Sequence, residues 1–598
     1  MRMVRVGNAV PDVPTILVCQ GASGLSAGAL GIMDAFEEEL KKHSSHPSLS
    51  RGYRVKRVGD RGLFIDPLVD VLMPDGSRTT YARLTLTDVP KIVEQHIFGG
   101  RVVEECLAGE DYTRFFEGQQ RIVLRHCGEI DPEDINDYVA HGGFTALRRA
   151  LSMTPEQVID LVKASGLRGR GGAGFPTGLK WGYARAAKGT EKYVICNADE
   201  GDPGAFMDRS LLEGDPMAVI EGMIIAAHAI GAGKGFVYCR AEYPLAVERV
   251  TKAIENAENA GYLGKKILGT GHSFEIALKE GAGAFVCGEE TALIASIEGR
   301  RGEPRPRPPF PAESGLWGKP TIINNVETLA TIPLIIDNGA EWFSAMGTEH
   351  SKGTKVFALA GRVKRTGLVE VPMGTSLRQV IFGPGGGMAR KGRGLKAVQI
   401  GGPSGGCLPA SALDTPIDYE TITATGAIMG SGGMVVMDEG TCMVDIARYF
   451  LSFTVKESCG KCVPCRMGLK QMLDILNRIA KGEGSRADLE RLERIAKVVK
   501  ETALCGLGQT APNPVLTTLR YFRDEYEAHI TGRCHAAVCT ALTRFEVDPD
   551  RCKMCGRCST ACPVDAVSWA PRTLPTIDKK KCIRCRACIE ACEYTAIR

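Results

Sequence analysis

Near its C-terminus the chain repeats one spacing of thiols. It reads Cys552-x2-Cys555-x2-Cys558-x3-Cys562-Pro563, then Cys582-x2-Cys585-x2-Cys588-x3-Cys592. Eight thiolates in that doubled pattern suit two cubane [4Fe–4S] clusters. The first three cysteines of each run hold one cluster and the fourth crosses to the other. The rule assigns Cys552, Cys555, Cys558 and Cys592 to one cluster, and Cys582, Cys585, Cys588 and Cys562 to its neighbour. Zinc sites would not need an interlocked repeat, and a disulfide knot would need an oxidising compartment. Such clusters pass electrons one at a time.

Two further groups of soft ligands precede this repeat. Cys459-x2-Cys462-x2-Cys465 offers three thiolates at the start of a helix and needs a fourth from elsewhere. His529-x4-Cys534-x4-Cys539 suits Zn²⁺, with Cys442 completing a tetrahedral set and His535 competing for the fourth place. The alternative leaves Cys442 as a core thiol and His529 at a helix end.

A different chemistry is written into Gly166–Gly178, GLRGRGGAGFPTG, with six glycines in thirteen residues. Repeated glycine lets backbone N–H groups close on an anion, and a helix beginning near Thr177 adds its N-terminal partial charge. Lys180 adds a point charge. Polar groups then follow apolar strands: Asn197–Glu200 after Tyr193–Cys196, Gly288–Glu290 after Gly283–Cys287, and Asn324-Asn325 after Thr321–Ile323. α/β sheets bind ligands past the ends of such strands.

The elements that carry these groups belong to a chain of 598 residues with 44% hydrophobic content, which makes about four soluble domains the expectation. A net charge of +4 is too balanced for a nucleic-acid surface. No signal-peptide core is visible, and the most apolar stretch, Gly222–Gly233, is far short of a membrane span. Twenty-two cysteines in short-spaced runs point to metal ligation in a reducing cytoplasm. The N-terminal part alternates strand Thr15–Cys19, helix Ser26–Lys42 with Leu30, Met33 and Phe36 on its apolar face, strands Tyr53–Val58, Leu68–Met73 and Ser77–Leu84, and helix Val89–Phe98. Later helices are expected over Met467–Ala480 and Arg486–Thr502, a hairpin that returns the chain to its starting point.

That N-terminal order resembles the thioredoxin fold that carries a [2Fe–2S] cluster in many electron-transfer subunits. Of the four expected cysteines only Cys19 survives. Gly24, Asp60 and Phe64 stand at the other positions and cannot rebuild the site, so the fold is expected without a [2Fe–2S] cluster, with Cys19 as a core thiol.

Residues 130–510 resemble the NADH-oxidising flavoprotein subunit of respiratory complex I and its soluble relatives. The carrying motifs are GRGGAGFPTGLKW (169–181), NADEGDPGAF (197–206), CGEETAL (287–293), PPFPAESGLWGKPTIINNVET (308–328) and ESCGKCVPCR (457–466). The resemblance implies that Gly169, Arg170, Gly171, Gly172 and Lys180 cradle the FMN phosphate. It implies that Asn197, Asp199, Glu200, Gly288, Glu289, Asn324 and Asn325 hold the rest of FMN. Phe175, Phe310, Glu290 and Asp202 fall on the NADH side, and Cys505 matches the fourth ligand beside Cys459, Cys462 and Cys465. No side chain is expected to act as acid or base, since hydride passes between nicotinamide and flavin. This sequence departs from the complex I pattern at Gly201-Asp202, where Ser-Glu is usual, and at Phe285, where Tyr is usual.

Taken whole, the chain resembles the β (diaphorase) subunit of soluble electron-bifurcating complexes. The implied architecture is α/β and multidomain. It comprises a thioredoxin-like domain (1–115), a Rossmann-like FMN/NADH domain (130–345) and a β-grasp-like insertion (350–432). A helical [4Fe–4S] domain (436–528), a zinc-like linker (529–545) and a two-cluster ferredoxin domain (546–598) follow. The implied cofactors are FMN, NAD(H), three [4Fe–4S] clusters and zinc. The implied partners are a small thioredoxin-like [2Fe–2S] subunit, ferredoxin and a further redox subunit. The sequence holds neither a hydrogenase cluster motif nor a second dinucleotide fingerprint. Hydrogen, formate or NADPH must therefore be handled by that further subunit.

Overall fold

The computed structural model describes residues 10–390, 392–543 and 545–597. A four-stranded mixed sheet opens the chain: β1 (Thr15–Cys19), β2 (Arg54–Val58), β3 (Leu68–Leu72) and β4 (Arg78–Ala82), in the order β2-β1-β3-β4. β1 runs parallel to β2 and antiparallel to β3. Its alternate residues feed two separate cores, Ile16 and Val18 on one face, Leu17 and Cys19 on the other. That is why four consecutive apolar residues, Ile16 to Cys19, are needed here. The covering helix starts at Ala29 rather than Ser26, because Gly28 takes a left-handed φ of 93° and separates it from a short turn at Ala22–Ser26. Its buried stripe is Ala29, Ile32, Phe36 and Leu40. Leu30, expected on that face, points outward and is 57% exposed.

The second sheet is wholly parallel: β5 (Tyr193–Ala198), β6 (Lys234–Arg240), β7 (Glu275–Gly281) and β8 (Thr321–Asn325), in the order β7-β6-β5-β8. Helices Pro216–Ile230 and Val326–Asn338, almost entirely buried, pack beneath it. They approach so closely that a Cβ on Gly222 would lie 2.1 Å from the Leu329 carbonyl oxygen. Gly283–Cys287 is not the expected strand. The extended run ends at Gly281, Gly283 takes a φ of 82°, and Phe285–Gly288 forms a 3-10 turn that delivers Gly288–Glu290 to the sheet's C-terminal edge.

A five-stranded sheet follows, β9 (Thr354–Gly361), β10 (Gly367–Pro372), β11 (Leu395–Ile400), β12 (Gly406–Pro409) and β13 (Gly433–Asp438), ordered β10-β9-β13-β11-β12. Helix Met443–Lys456 leads from it into a hairpin of Leu469–Lys481 and Arg486–Thr502, with Gly482 in the left-handed region at the turn and Ser485 capping the return helix. The hairpin closes on Leu469, Met472, Leu476, Leu492, Ala496 and Val499.

The C-terminal segment is a near two-fold repeat. Short helices Arg557–Thr560 and Ala587–Glu590 correspond, as do the bonds Cys552 N–Asp548 O and Cys582 N–Asp578 O, both 3.0 Å. β14 (Val567–Ser568) pairs with β15 (Thr576–Ile577). Among the described residues no helix is long and apolar enough to cross a membrane.

Candidate functional site

The glycine loop is tied at its neck by Gly169 N–H to Phe175 O (2.9 Å) and Thr177 N–H to Leu167 O (2.9 Å). Gly171 rests against Asn325, and Gly172 (φ 122°) against Gly430. Arg170 is 1% exposed, and its guanidinium donates to the carbonyls of Thr354, Arg168 and Lys352 at 3.0, 3.0 and 2.5 Å. Its charge therefore anchors the loop to β9 through the Thr354 carbonyl. Tyr419, in the insertion, donates its hydroxyl to Gly169 O (2.7 Å) beneath the Arg168 guanidinium. No motif announces that clamp.

At the strand ends several expected residues have first a structural task. Glu200 accepts the N–H groups of Asp208 and Arg209, both at 3.1 Å. Asn325 accepts Glu327 N–H (2.9 Å), and Glu289 accepts those of Thr291 and Ala292 at 2.9 and 3.0 Å. These caps fix the backbone where the strands stop. Asn324 accepts the buried Trp181 indole N–H at 3.0 Å, and Asn197 donates to Gly288 O at 2.9 Å. Lys180 donates to Ile323 O (2.9 Å) and pairs with Glu290 (2.6 Å). Phe175 and Phe310 remain 45% and 52% exposed, free to receive a planar ring. The Asp202 carboxylate accepts Ser431 Oγ–H at 2.7 Å and fills the space above Gly402.

Asp199 is different. Its backbone N–H donates to Asn197 Oδ1 (3.1 Å), yet its Oδ2 is buried without a hydrogen-bond partner. A Cβ on Gly288 would lie 3.8 Å from that oxygen. Burial pushes the carboxyl up to about 7, against the pull of Arg240. A buried orphan acceptor beside a glycine, a glycine loop and a lysine fit a group with a ring N–H and a phosphate, as FMN has.

Helix Met443–Lys456 connects this edge to the first thiol set. Phe285 packs edge-on against Phe453 (5.5 Å) and donates its N–H to Glu457 Oε2 (2.9 Å). Cys459 follows two residues later. Cys462 and Cys465 lie on the next turn, and Cys505 stands just before helix Gly506–Thr510 after the hairpin returns. Burial pushes Cys465 up to about 11, and Cys462, Cys505 and Cys459 push it the same way, so the four thiols share one neighbourhood. In the C-terminal repeat, Cys552, Cys555, Cys558 and Cys592 line one cavity, and Cys562, Cys582, Cys585 and Cys588 line another. Cys562 and Cys592 each accept a backbone N–H, from Ala566 (3.2 Å) and Ala596 (3.3 Å).

The ligand atoms of Cys442, His529, Cys534 and Cys539, all buried, lie within 4.8 Å of one another. His529 Nε2 is 3.3 Å from both Cys442 Sγ and Cys539 Sγ, while its Nδ1 is held by Glu525 O at 2.6 Å. That second bond orients the ring as metal-bound histidines require. Hydrogen bonds from Cys442 and Cys539 hold Cys534 well below an ordinary thiol. His535 is exposed and outside the group.

Of the four N-terminal positions Cys19, Gly24, Asp60 and Phe64, Cys19 alone carries a thiol. Asp60 accepts Gly21 N–H (2.8 Å), Ser23 N–H (3.1 Å) and Ser23 Oγ–H (2.8 Å). A Cβ on Gly24 would lie 2.2 Å from Cys19 O. Phe64 packs on Phe206 (5.1 Å), and Cys19 is buried with its thiol pushed well up by burial.

Family models match three parts of the chain. Residues 162–334 match the Nuo51 FMN-binding domain, and 445–529 match the NADH-ubiquinone oxidoreductase-F iron-sulfur binding region. Residues 545–568 and 575–598 each match a 4Fe-4S binding domain. The chain is 61% identical over 451 residues to HndC, a component of the NADP-reducing hydrogenase of Solidesulfovibrio fructosivorans, covering 75% of this chain and 92% of that protein. It is 47% identical over 413 residues to an F-type component of the NADH-quinone oxidoreductase of Rhizobium meliloti (strain 1021), covering 69% and 98%. The crystal structure of an NAD+-reducing [NiFe]-hydrogenase in the H2-reduced state superimposes with a TM-score of 0.59 at 31% identity, over 87% of this chain and 85% of that one.

Proposed function

This chain belongs to the family of FMN- and iron–sulfur-carrying NADH dehydrogenase subunits, and we propose that it exchanges electrons with NAD(H) inside a cytoplasmic electron-bifurcating complex. It is a flavin iron–sulfur oxidoreductase subunit of the NAD(P)H-dependent class. The complex couples NAD(H), ferredoxin and a third redox partner: H2, formate or NADPH. The observation that carries this reading is the buried, unpartnered Asp199 Oδ2 at the sheet edge, where Phe285 bonds to Glu457 at the end of the helix that leads into the four-thiol set.

Gly169, Gly171, Gly172 and Lys180 hold the FMN phosphate, and Asn197, Asp199, Glu200, Gly288, Asn324 and Asn325 shape the ring pocket. FMN, when bound, supplies hydride exchange with NAD(H) on one side and single-electron transfer on the other. Phe175 and Phe310 sandwich the dinucleotide's adenine, and Glu290, steadied by Lys180, takes a polar edge of it. Cys459, Cys462, Cys465 and Cys505 hold one [4Fe–4S] cluster. The crossed sets of the C-terminal repeat hold two more beside the ferredoxin interface. Cys442, His529, Cys534 and Cys539 bind a structural zinc that joins the hairpin to that repeat. The N-terminal thioredoxin-like domain carries no cluster, and a small [2Fe–2S] subunit docks beside the flavin domain.

The complex purified without air provides the test. NADH should reduce ferredoxin only when the third redox partner is also turning over. Reduction of ferredoxin by NADH alone, at the same rate, rejects bifurcation. The likeness to an NAD+-reducing hydrogenase favours one second reading, a non-bifurcating diaphorase module. That reading requires NADH turnover indifferent to ferredoxin.

A further inference from the structure

Arg240 ends β6 beside the end of β5 and belongs to none of the motifs that carry the flavin reading. Its side chain is 13% exposed. One guanidinium nitrogen donates to Glu242 (2.7 Å) and Gly283 O (3.2 Å). The other, NH1, lies 3.6 Å from Asp199 Oδ1 and is buried without any hydrogen-bond partner. Asp199 Oδ2 is unpartnered in the same way. The ion pair thus keeps one donor and one acceptor open at the C-terminal edge of a parallel sheet. A Cβ on Gly201 would lie 2.4 Å from Arg240 NH1 and 2.6 Å from the Phe285 ring, and Gly288 leaves room before Asp199 Oδ2.

Native proteins rarely bury two open polar atoms side by side without a ligand that completes them. The pyrimidine edge of an oxidised isoalloxazine presents one ring N–H between two carbonyls, and an acceptor beside a donor complements it.

We propose that Arg240 is a positioning residue of the flavin site, which acts by holding Asp199 as a carboxylate that accepts the flavin's ring N–H. This rests on the FMN reading above. The groups facing Asp199 are Arg240, Glu242, Tyr238 and Cys239 from β6 and its following turn, Cys287 from the 3-10 turn, Glu457 from the end of helix Met443–Lys456, and Asp202 from its own loop. Arg240 is the one cation among them. Burial and the three carboxylates raise Asp199, and only Arg240 opposes them. Without it Asp199 keeps its proton at neutral pH and presents a hydroxyl where an acceptor is needed.

The test uses the purified complex, with FMN removed and rebound, comparing R240Q, R240K, D199N and the double variant. The readouts are FMN affinity by fluorescence and flavin midpoint potential from about pH 6 to about pH 9. Loss of one hydrogen bond to a charged group corresponds to about a tenfold weakening of FMN binding by R240Q near pH 8. The difference closes toward pH 6, where Asp199 is protonated in either protein. R240K restores binding to within about twofold, and the double variant binds no worse than D199N alone. R240Q losses that simply multiply those of D199N, or an unchanged affinity and potential profile, overturn the proposal. Should R240Q fail to fold, the parent protein still decides: its FMN affinity must fall below pH 7, and a flat profile overturns the proposal. A parent complex without FMN would instead reject the flavin reading itself.

Discussion

Gly59 and Gly214 meet backbone to backbone: a Cβ on Gly59 would lie 2.4 Å from the Gly214 Cα. Gly59 follows β2 in the N-terminal sheet, and Gly214 ends helix Met207–Gly214, whose first turn is capped by the Glu200 carboxylate at the edge of the parallel sheet. The contact makes this loop a joint between the two parts of the chain. Gly59→Ala forces backbone against backbone, where no side chain can yield, and should cost about 1–3 kcal/mol. Thermal unfolding of the holoprotein measures it. Gly233→Ala, where a Cβ meets nothing within 4 Å, is the control and should stay within about 0.5 kcal/mol.

The same joint makes stability pH-dependent. Glu213 is 3% exposed, accepts Ala22 N–H at 2.8 Å, and is pushed up by burial from 4.5 to about 7. The folded state therefore keeps a proton that the unfolded chain releases. Stability falls as pH rises from about 4.5 to about 7 and levels off above. Glu213→Gln keeps an acceptor for Ala22 and abolishes the titration. Its melting temperature should gain on the parent's across that window, by the equivalent of at most about 3 kcal/mol. A parallel pair of curves would show that Glu213 is not the titrating group.

Tyr419→Phe removes one hydroxyl, the donor to Gly169 O. A single neutral hydrogen bond contributes about 0.5–1.5 kcal/mol, so FMN affinity should fall roughly two- to tenfold. The iron content should be untouched. Equal affinity would mean that the glycine loop holds its shape without the insertion.

The folding pattern shows which of these contacts a sequence can announce. Spacing rules depend on neighbours along one chain segment, and they carry helix Arg486–Thr502 and the strands that begin at Tyr193 and Thr321. Leu30 stands six residues from Phe36, about 120° away round the helix, so the buried stripe through Ile32, Phe36 and Leu40 leaves it outside. Arg170, Asp202 and Tyr419 owe their roles to the insertion, some two hundred residues away in sequence. Arg240 stands in no motif because its significance lies in a bond it does not make.

The four-ligand set around His529 gives a metal test. Cys442→Ser should release close to one zinc equivalent and lower the melting temperature, since structural zinc contributes directly to folding. His529→Ala should do the same. His535→Ala, which changes an exposed residue outside the set, should leave metal content unchanged. Zinc loss from the His535 variant would shift the fourth ligand there.

Crossed ligation in the C-terminal repeat can be separated from sequential ligation by pairing substitutions. Cys562 lines the cavity of Cys582, Cys585 and Cys588, although in sequence it closes the run Cys552–Cys558. Cys562→Ser combined with Cys588→Ser then strikes one cluster twice, and about four irons should be lost per chain. Cys562→Ser combined with Cys558→Ser strikes both clusters, and about eight should be lost. Sequential ligation reverses these two results. Iron analysis with low-temperature EPR of the reduced protein reads the difference. The cluster at Cys459, Cys462, Cys465 and Cys505 should persist in both variants as an internal standard, because its ligands lie in a separate hairpin.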